Sequence, residues 1–216
     1  INWPLILTGL VLVVSLALPY LARRPAASDG KLHVVCTFLP MYVFTQNVVG
    51  DVPGVSVELL IDRDMGCPHS YSLTGQDLKK VSQADVVVAN GLGIEPFLDR
   101  MLRGQTKAKV ITIADDCDVL QLTAGEGGEH EHEHGHAEHG TAASEPSHEA
   151  YHSDVNPHTW VSPRQAIVEV RTLADKLSEI DRPHAAQYLA NATAYIARLT
   201  ALADKMESAA RGFKNR

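Results

Sequence analysis

The 216-residue chain predicts an α/β lobe: a parallel four-stranded sheet flanked by helices, plus one long helix. Two observations carry this. Short β-rich runs alternate with helical stretches of about ten residues, which is the pattern of βαβ units. Near the C-terminal end, apolar residues recur in steps of three and four as a single stripe. Hydrophobic content of 45% is ordinary for a chain with a packed core.

The elements follow in order after a polar joint at Ser28-Asp29-Gly30. Leu32 to Thr37 reads as a buried strand, and Pro40 opens an amphipathic stretch that runs through Val49. Val55 to Ile61 is the second strand. A helical stretch from Thr74 to Ser82 leads into the third strand, Ala84 to Ala89. Glu95 to Arg103 reads as helical, and Lys109 to Ile113 is the fourth strand. The lobe spans residues 31–122 and is completed by residues 154–180. A long helix occupies residues 181–216, with Asp181 as its cap and Pro183 in its first turn. Its stripe comprises Tyr188, Leu189, Ala192, Tyr195, Ile196, Leu199, Leu202, Met206, Ala209 and Phe213. Thirty residues at about 1.5 Å each reach roughly 45 Å, longer than a small domain is wide. A coiled coil would also show such a stripe; a strut between two lobes accounts better for the length.

Two regions lie outside this pattern. Residues 1–24 hold an uncharged run rich in Leu, Val and Ile that ends at Arg23-Arg24, and 25–30 form a linker. Such a run reads as a signal peptide or a membrane anchor, and both place the remainder outside the cytoplasm, in the periplasm or at the cell surface. Residues 123–153 are low complexity. The window from Glu126 to His152 holds seven of the eleven histidines and seven glutamates. It has no hydrophobic periodicity and too little apolar surface to offset ordering entropy, so it is expected to be a disordered loop. The formal net charge of −7 is local: no Lys or Arg occurs between Val110 and Pro163, and the rest of the chain has 15 acids against 19 bases. No basic, aromatic-interleaved surface is present, which excludes nucleic acid as a partner.

The chemistry concentrates in two short segments. Gly66-Cys67-Pro68-His69-Ser70-Tyr71 follows the second strand, and Asn156-Pro157-His158-Thr159-Trp160 follows the fourth. Each sets a histidine directly after a proline, whose fixed φ holds the imidazole at low entropic cost. Ligands in parallel sheets bind beyond the carboxyl ends of the strands, where such loops converge. Two imidazoles there are half of a tetrahedral site for Zn²⁺. His33, within a strand, and His184, in a helix's first turn, read as structural. Cys67 is either a thiolate ligand or a small buried residue. With Cys36 and Cys117 it makes an odd number of cysteines and no CxxC pair. A weaker, auxiliary metal signal comes from His130, His132, His134, His136, His139, His148 and His152, which suit loose chelation from a flexible chain.

With these segments in view the chain resembles the zinc- and manganese-type substrate-binding proteins of bacterial ABC importers, closest to the zinc branch. The matching stretches are Val34 to Pro40 before Val48-Val49-Gly50-Asp51, Pro68 to Thr74, Ala84 to Leu98, and Asn156 to Pro163. The resemblance implies two lobes joined by a rigid helix, with metal held between them and His69 and His158 as the first two ligands. It places the remaining ligands in a second lobe, absent here, and an acidic His-rich insert before the second ligand is typical of the zinc branch. Two positions depart from the family pattern. Cys67 stands where an acidic residue is frequent, and Ser162-Pro163 replaces Asp-Pro.

The reading is a monomeric extracytoplasmic binding protein, not an enzyme, that captures Zn²⁺, with Mn²⁺ as the other candidate. It would deliver the ion to an ABC permease and its ATPase. The alternative is an extracellular metal-buffering or adhesion protein without a transporter. A zinc-dependent hydrolase, a further alternative, would need three ligands, an open water position and a general base.

Overall fold

The structure, a computed structural model, describes residues 31–62, 68–98, 101, 106–121 and 155–213. The expected export or anchor segment 1–24, the linker 25–30 and the His-rich stretch 123–153 lie outside the described residues. Leu32–Arg216 forms one compact unit. Among the described residues no helix is long and apolar enough to cross a membrane.

Four parallel strands, β1 (Leu32–Cys36), β2 (Val55–Leu59), β3 (Val86–Ala89) and β4 (Lys109–Thr112), run in the order β2-β1-β3-β4. All four residues of β3 are buried, as a central parallel strand covered on both faces requires. In register, Val35 pairs with Glu58 and Val87, and Val87 with Val110. The sequence order reverses between β1 and β3, and the crevice above that switch point is where open α/β sheets bind ligands.

Helices cover both faces. On one side α1 (Leu39–Val49) buries Met41, Phe44, Thr45, Val48 and Val49. On the other, α2 (Gly75–Gln83) sets Lys80 against Glu58 at 3.4 Å. A capping box starts α2: Asp77 N–H donates to Thr74 Oγ1, and Asp77 Oδ2 accepts from Thr74 N–H at 2.8 Å. The two sheet edges are treated alike. Leu60 and Ile113 direct their amides inward to β1 and β3, so the carbonyls of Leu59 and Thr112 face outward. Lys80 Nζ donates to the first at 3.1 Å and Lys176 Nζ to the second at 2.8 Å. An ammonium thus occupies an acceptor that another strand would otherwise use.

The helix α3 (Pro163–Ile180) has no counterpart in the sequence reading, which assigned 154–180 to the lobe without an element. Its buried positions Ala166, Val170, Leu173, Ala174 and Leu177 do follow helical spacing, with Glu169 buried among them. The carboxylate interrupts the apolar stripe and hides the period.

The long helix is α4 (Ala185–Ala210), 26 residues or about 39 Å, preceded by a 3₁₀ turn at Arg182–His184. It packs along α3 and α1. Asp181 does not cap it by the expected side-chain bond. Asp181 Oδ2 instead accepts from Tyr188 OH at 2.6 Å and lies 2.7 Å from His184 Nδ1. Of the predicted stripe, Tyr188, Ala192 and Leu199 are buried, whereas Leu189, Leu202, Met206 and Phe213 are exposed. The stripe is wider than the seam it packs into. Asn191 on α4 donates to the last carbonyls of α1, Val48 at 3.0 Å and Val49 at 3.1 Å. Gly50 there has φ +56°, and a Cβ would meet Asn191 Nδ2 at 2.8 Å. Only glycine fits both constraints.

Candidate metal centre

His69 sits in a 3₁₀ turn, Pro68–Ser70, beyond β2; His158 immediately precedes a second, Thr159–Val161. Both are exposed at the carboxyl rim of the sheet. Although 89 positions apart in sequence, their rings lie 5.4 Å apart between centroids, tilted by 50°. A ring bonded to Zn²⁺ through nitrogen at about 2.0–2.1 Å has its centre about 3.2 Å from the ion. Two such rings at the tetrahedral angle stand about 5 Å apart, so the spacing suits two ligands of one ion. Among the described residues no group of three His, Cys, Asp or Glu is placed to hold a metal.

The His158 loop is held from below. Pro157 and Thr159 are buried on either side of the exposed histidine. Asn90, fully buried at the end of β3, donates through Nδ2 to Pro157 O at 3.1 Å. Its Oδ1 accepts from Thr159 Oγ1 at 3.5 Å. Trp160 packs against the His158 ring at 5.2 Å and edge-on to Phe38, at the end of β1, at 4.9 Å. Asn156 Oδ1 accepts from the His158 amide at 3.0 Å and lies 2.8 Å from its Nδ1.

Asn90 is itself held by Glu95. Gly91, Leu92 and Gly93 all have positive φ, a left-handed run that turns consecutive amides toward one point. Glu95 Oε1 accepts from Asn90 N–H at 2.8 Å and Thr37 Oγ1 at 2.8 Å, and Oε2 from Gly91 N–H at 3.0 Å. Burial pushes its carboxyl above the usual range, against the pull of those donors. The helical stretch expected from Glu95 therefore begins later: Pro96 and Phe97 form a turn, and Leu98 and Met101 are helical. Glu95 is a buried clamp rather than a helix residue.

The His69 loop is braced by one neighbour. Tyr71 OH donates to Asp77 Oδ2 at 2.8 Å, and its ring meets Phe97 at 5.9 Å. Burial, and then the charge of His158, hold the His69 imidazole below the usual histidine range. That keeps its lone pair available to a cation.

Cys67 and the seven auxiliary histidines, His130, His132, His134, His136, His139, His148 and His152, lie outside the described residues. Cys36 and Cys117 are free, buried thiols, each pushed up to about 12, chiefly by burial. Neither offers a thiolate near neutrality. His33 pairs with Ser56, Nδ1 to Oγ at 3.0 Å, and His184 Nδ1 lies 2.7 Å from Asp181 Oδ2. The supporting residues Asn90, Glu95 and Asn156 carried no assigned role in the sequence reading. Asn156 had the clearest signal, an Asx residue two positions before a histidine, where its side chain reaches that residue's amide.

Comparison with known proteins places the chain in a family. The chain is 36% identical over 175 residues to the zinc-binding lipoprotein AdcA of Streptococcus pneumoniae serotype 4, covering 81% of this chain and 32% of that protein. It is 27% identical over 177 residues to the manganese-binding lipoprotein MntA of Halalkalibacterium halodurans, covering 82% and 49%. The crystal structure of the Zn(II)-bound ZnuA-like domain of Streptococcus pneumoniae AdcA superposes with a TM-score of 0.61 at 30% identity, over 81% of this chain and 54% of that one. The chain thus spans about a third to a half of the length of these curated relatives. The family described as zinc-uptake complex component A, periplasmic (ZnuA), matches residues 34–216, and this chain, with both loop histidines inside the matched region, belongs to it.

Proposed function

We propose that the chain captures a transition-metal ion outside the cytoplasm, Zn²⁺ foremost, and passes it to an ABC-type importer. The observation that carries this is the convergence of His69 and His158, ring centres 5.4 Å apart at the switch-point rim. Each would give one neutral imidazole, and the remaining ligands would come from beyond the described residues, in a second lobe joined through α4. Two nitrogen donors favour Zn²⁺ over Mn²⁺, which prefers oxygen. The relatives' names support the class: one binds zinc, another manganese. Binding is reversible capture without turnover, and the partners are a membrane permease and its ATPase. The acidic His-rich stretch 123–153 would act as a weaker collector, and Cys67 as a further donor.

Competition titration of Zn²⁺ against a chelator, in the full-length protein, tests this. His69→Ala and His158→Ala should each weaken the tight site by about a hundredfold or more, beyond what loss of a supporting residue costs. Deleting 129–152 should remove weak binding and leave the tight site. Retention of tight binding by both histidine variants overturns the reading.

A further inference from the structure

An imidazole offers a metal whichever ring nitrogen lacks the proton, and the hydrogen bond at the other nitrogen decides which that is. At His158 a backbone amide settles the choice. The Asn156 side-chain atom 3.0 Å from the His158 backbone nitrogen must accept, because a peptide N–H only donates. It is therefore Oδ1, whatever ambiguity an amide side chain otherwise carries. That same oxygen lies 2.8 Å from Nδ1 of the ring. An amide oxygen has no proton to give, so Nδ1 must carry it. Nε2 is left with its lone pair. Asn156 is half-buried, and its two neighbours in this bond are one residue, so the amide and the ring are fixed together.

We propose that Asn156 is a positioning residue that locks neutral His158 in the Nδ1–H tautomer and so dedicates Nε2 to the captured ion. This rests on His158 being a ligand. Departure from Asp-Pro at Ser162-Pro163 then matters little: Ser162 accepts from Ala166 N–H through its backbone and starts α3. The ring's orientation comes from two residues upstream, not from four downstream. A second benefit is electronic, since a donor bond from Nδ1–H raises the basicity of the opposite nitrogen.

The test reads the tautomer directly. Long-range ¹H–¹⁵N correlation of ¹⁵N-histidine-labelled, metal-free protein at pH 8 distinguishes the two forms, with His158 assigned through His158→Gln. Wild type should show Nδ1 protonated and Nε2 bare. Asn156→Ala should mix the tautomers and weaken Zn²⁺ binding in the full-length protein by about tenfold, the lower end for loss of an orienting partner. Asn156→Asp, which accepts the same pair of N–H groups, should restore both readouts. A wild-type ring protonated at Nε2 overturns the proposal, as does an Asn156→Ala protein with unchanged tautomer and affinity. Should Asn156→Ala fold poorly, the wild-type spectrum and the Asp variant still decide. If His158→Gln alone leaves Zn²⁺ affinity intact, the ligand reading fails instead, and the tautomer result stands apart from it.

Discussion

The two histidine loops reach the same point by different means. His158 is suspended in a network: Glu95 fixes Asn90, Asn90 holds the backbone on both sides of the ring, Asn156 holds the ring, and Trp160 packs against it. His69 has no side-chain hydrogen bond to its ring among the described residues, and its turn is steadied by Tyr71 and Asp77 next to it. One ligand candidate is preorganised by buried polar groups at the ends of β1 and β3; the other is supported locally. Buried polar networks are costly to leave half-satisfied, so the His158 side should respond sharply to substitution and the His69 side mildly.

The largest expected effect tests the base of the His158 network. Glu95→Ala strands Thr37 Oγ1 and the amides of Asn90 and Gly91, and should cost about 4 kcal/mol in denaturant unfolding. Zn²⁺ affinity should fall with it. A loss below about 1 kcal/mol would mean that the clamp is not what holds the loop.

Next comes Glu169, fully buried on α3, with Cys117 Sγ donating to Oε1 at 4.0 Å and Oε2 without a partner among the described residues. Burial raises its carboxyl from 4.5 to about 7. The folded chain therefore binds more protons than the unfolded one between those values, and stability falls as pH rises through that window. Glu169→Gln should stabilise the protein by about 3 kcal/mol at pH 8 and by little near pH 4.5. Equal effects at both pH values would refute a neutral Glu169.

On the His69 side, Asp77→Ala removes the capping box and the Tyr71 bond together. It should cost about 2 kcal/mol and leave Zn²⁺ affinity nearly unchanged. An affinity loss as large as that of Asn156→Ala would erase the contrast between the loops. The smallest effect is mutual. Because the charge of His158 helps to depress the His69 imidazole, His158→Gln should raise the His69 titration midpoint in an NMR pH series, with burial keeping it below the ordinary value. An unchanged midpoint would place the two rings too far apart in solution to share an ion.

Much of this was legible in the chain. The four strands and α2 fall within two residues of their expected limits, because apolar runs and helical periodicity are local signals. The two proline-braced histidines were legible for the same reason. The helix α3 was not, since buried Glu169 breaks its stripe and a buried carboxylate is recognised only by what surrounds it. Glu95 was assigned to a helix for a related reason: nothing in the sequence says that three left-handed residues at positions 91–93 bend two amides toward one carboxylate.

By itself the sequence singled out His69 and His158 as candidates and set each in a loop after a strand, because residue type and periodicity are properties of short segments. Whether His69 and His158 meet was decided by the tertiary structure. Their separation depends on strand order, on the reversal between β1 and β3, and on buried contacts between residues as far apart as Asn90 and Pro157. Those are long-range pairings, stabilised only once the sheet and its helices close around them.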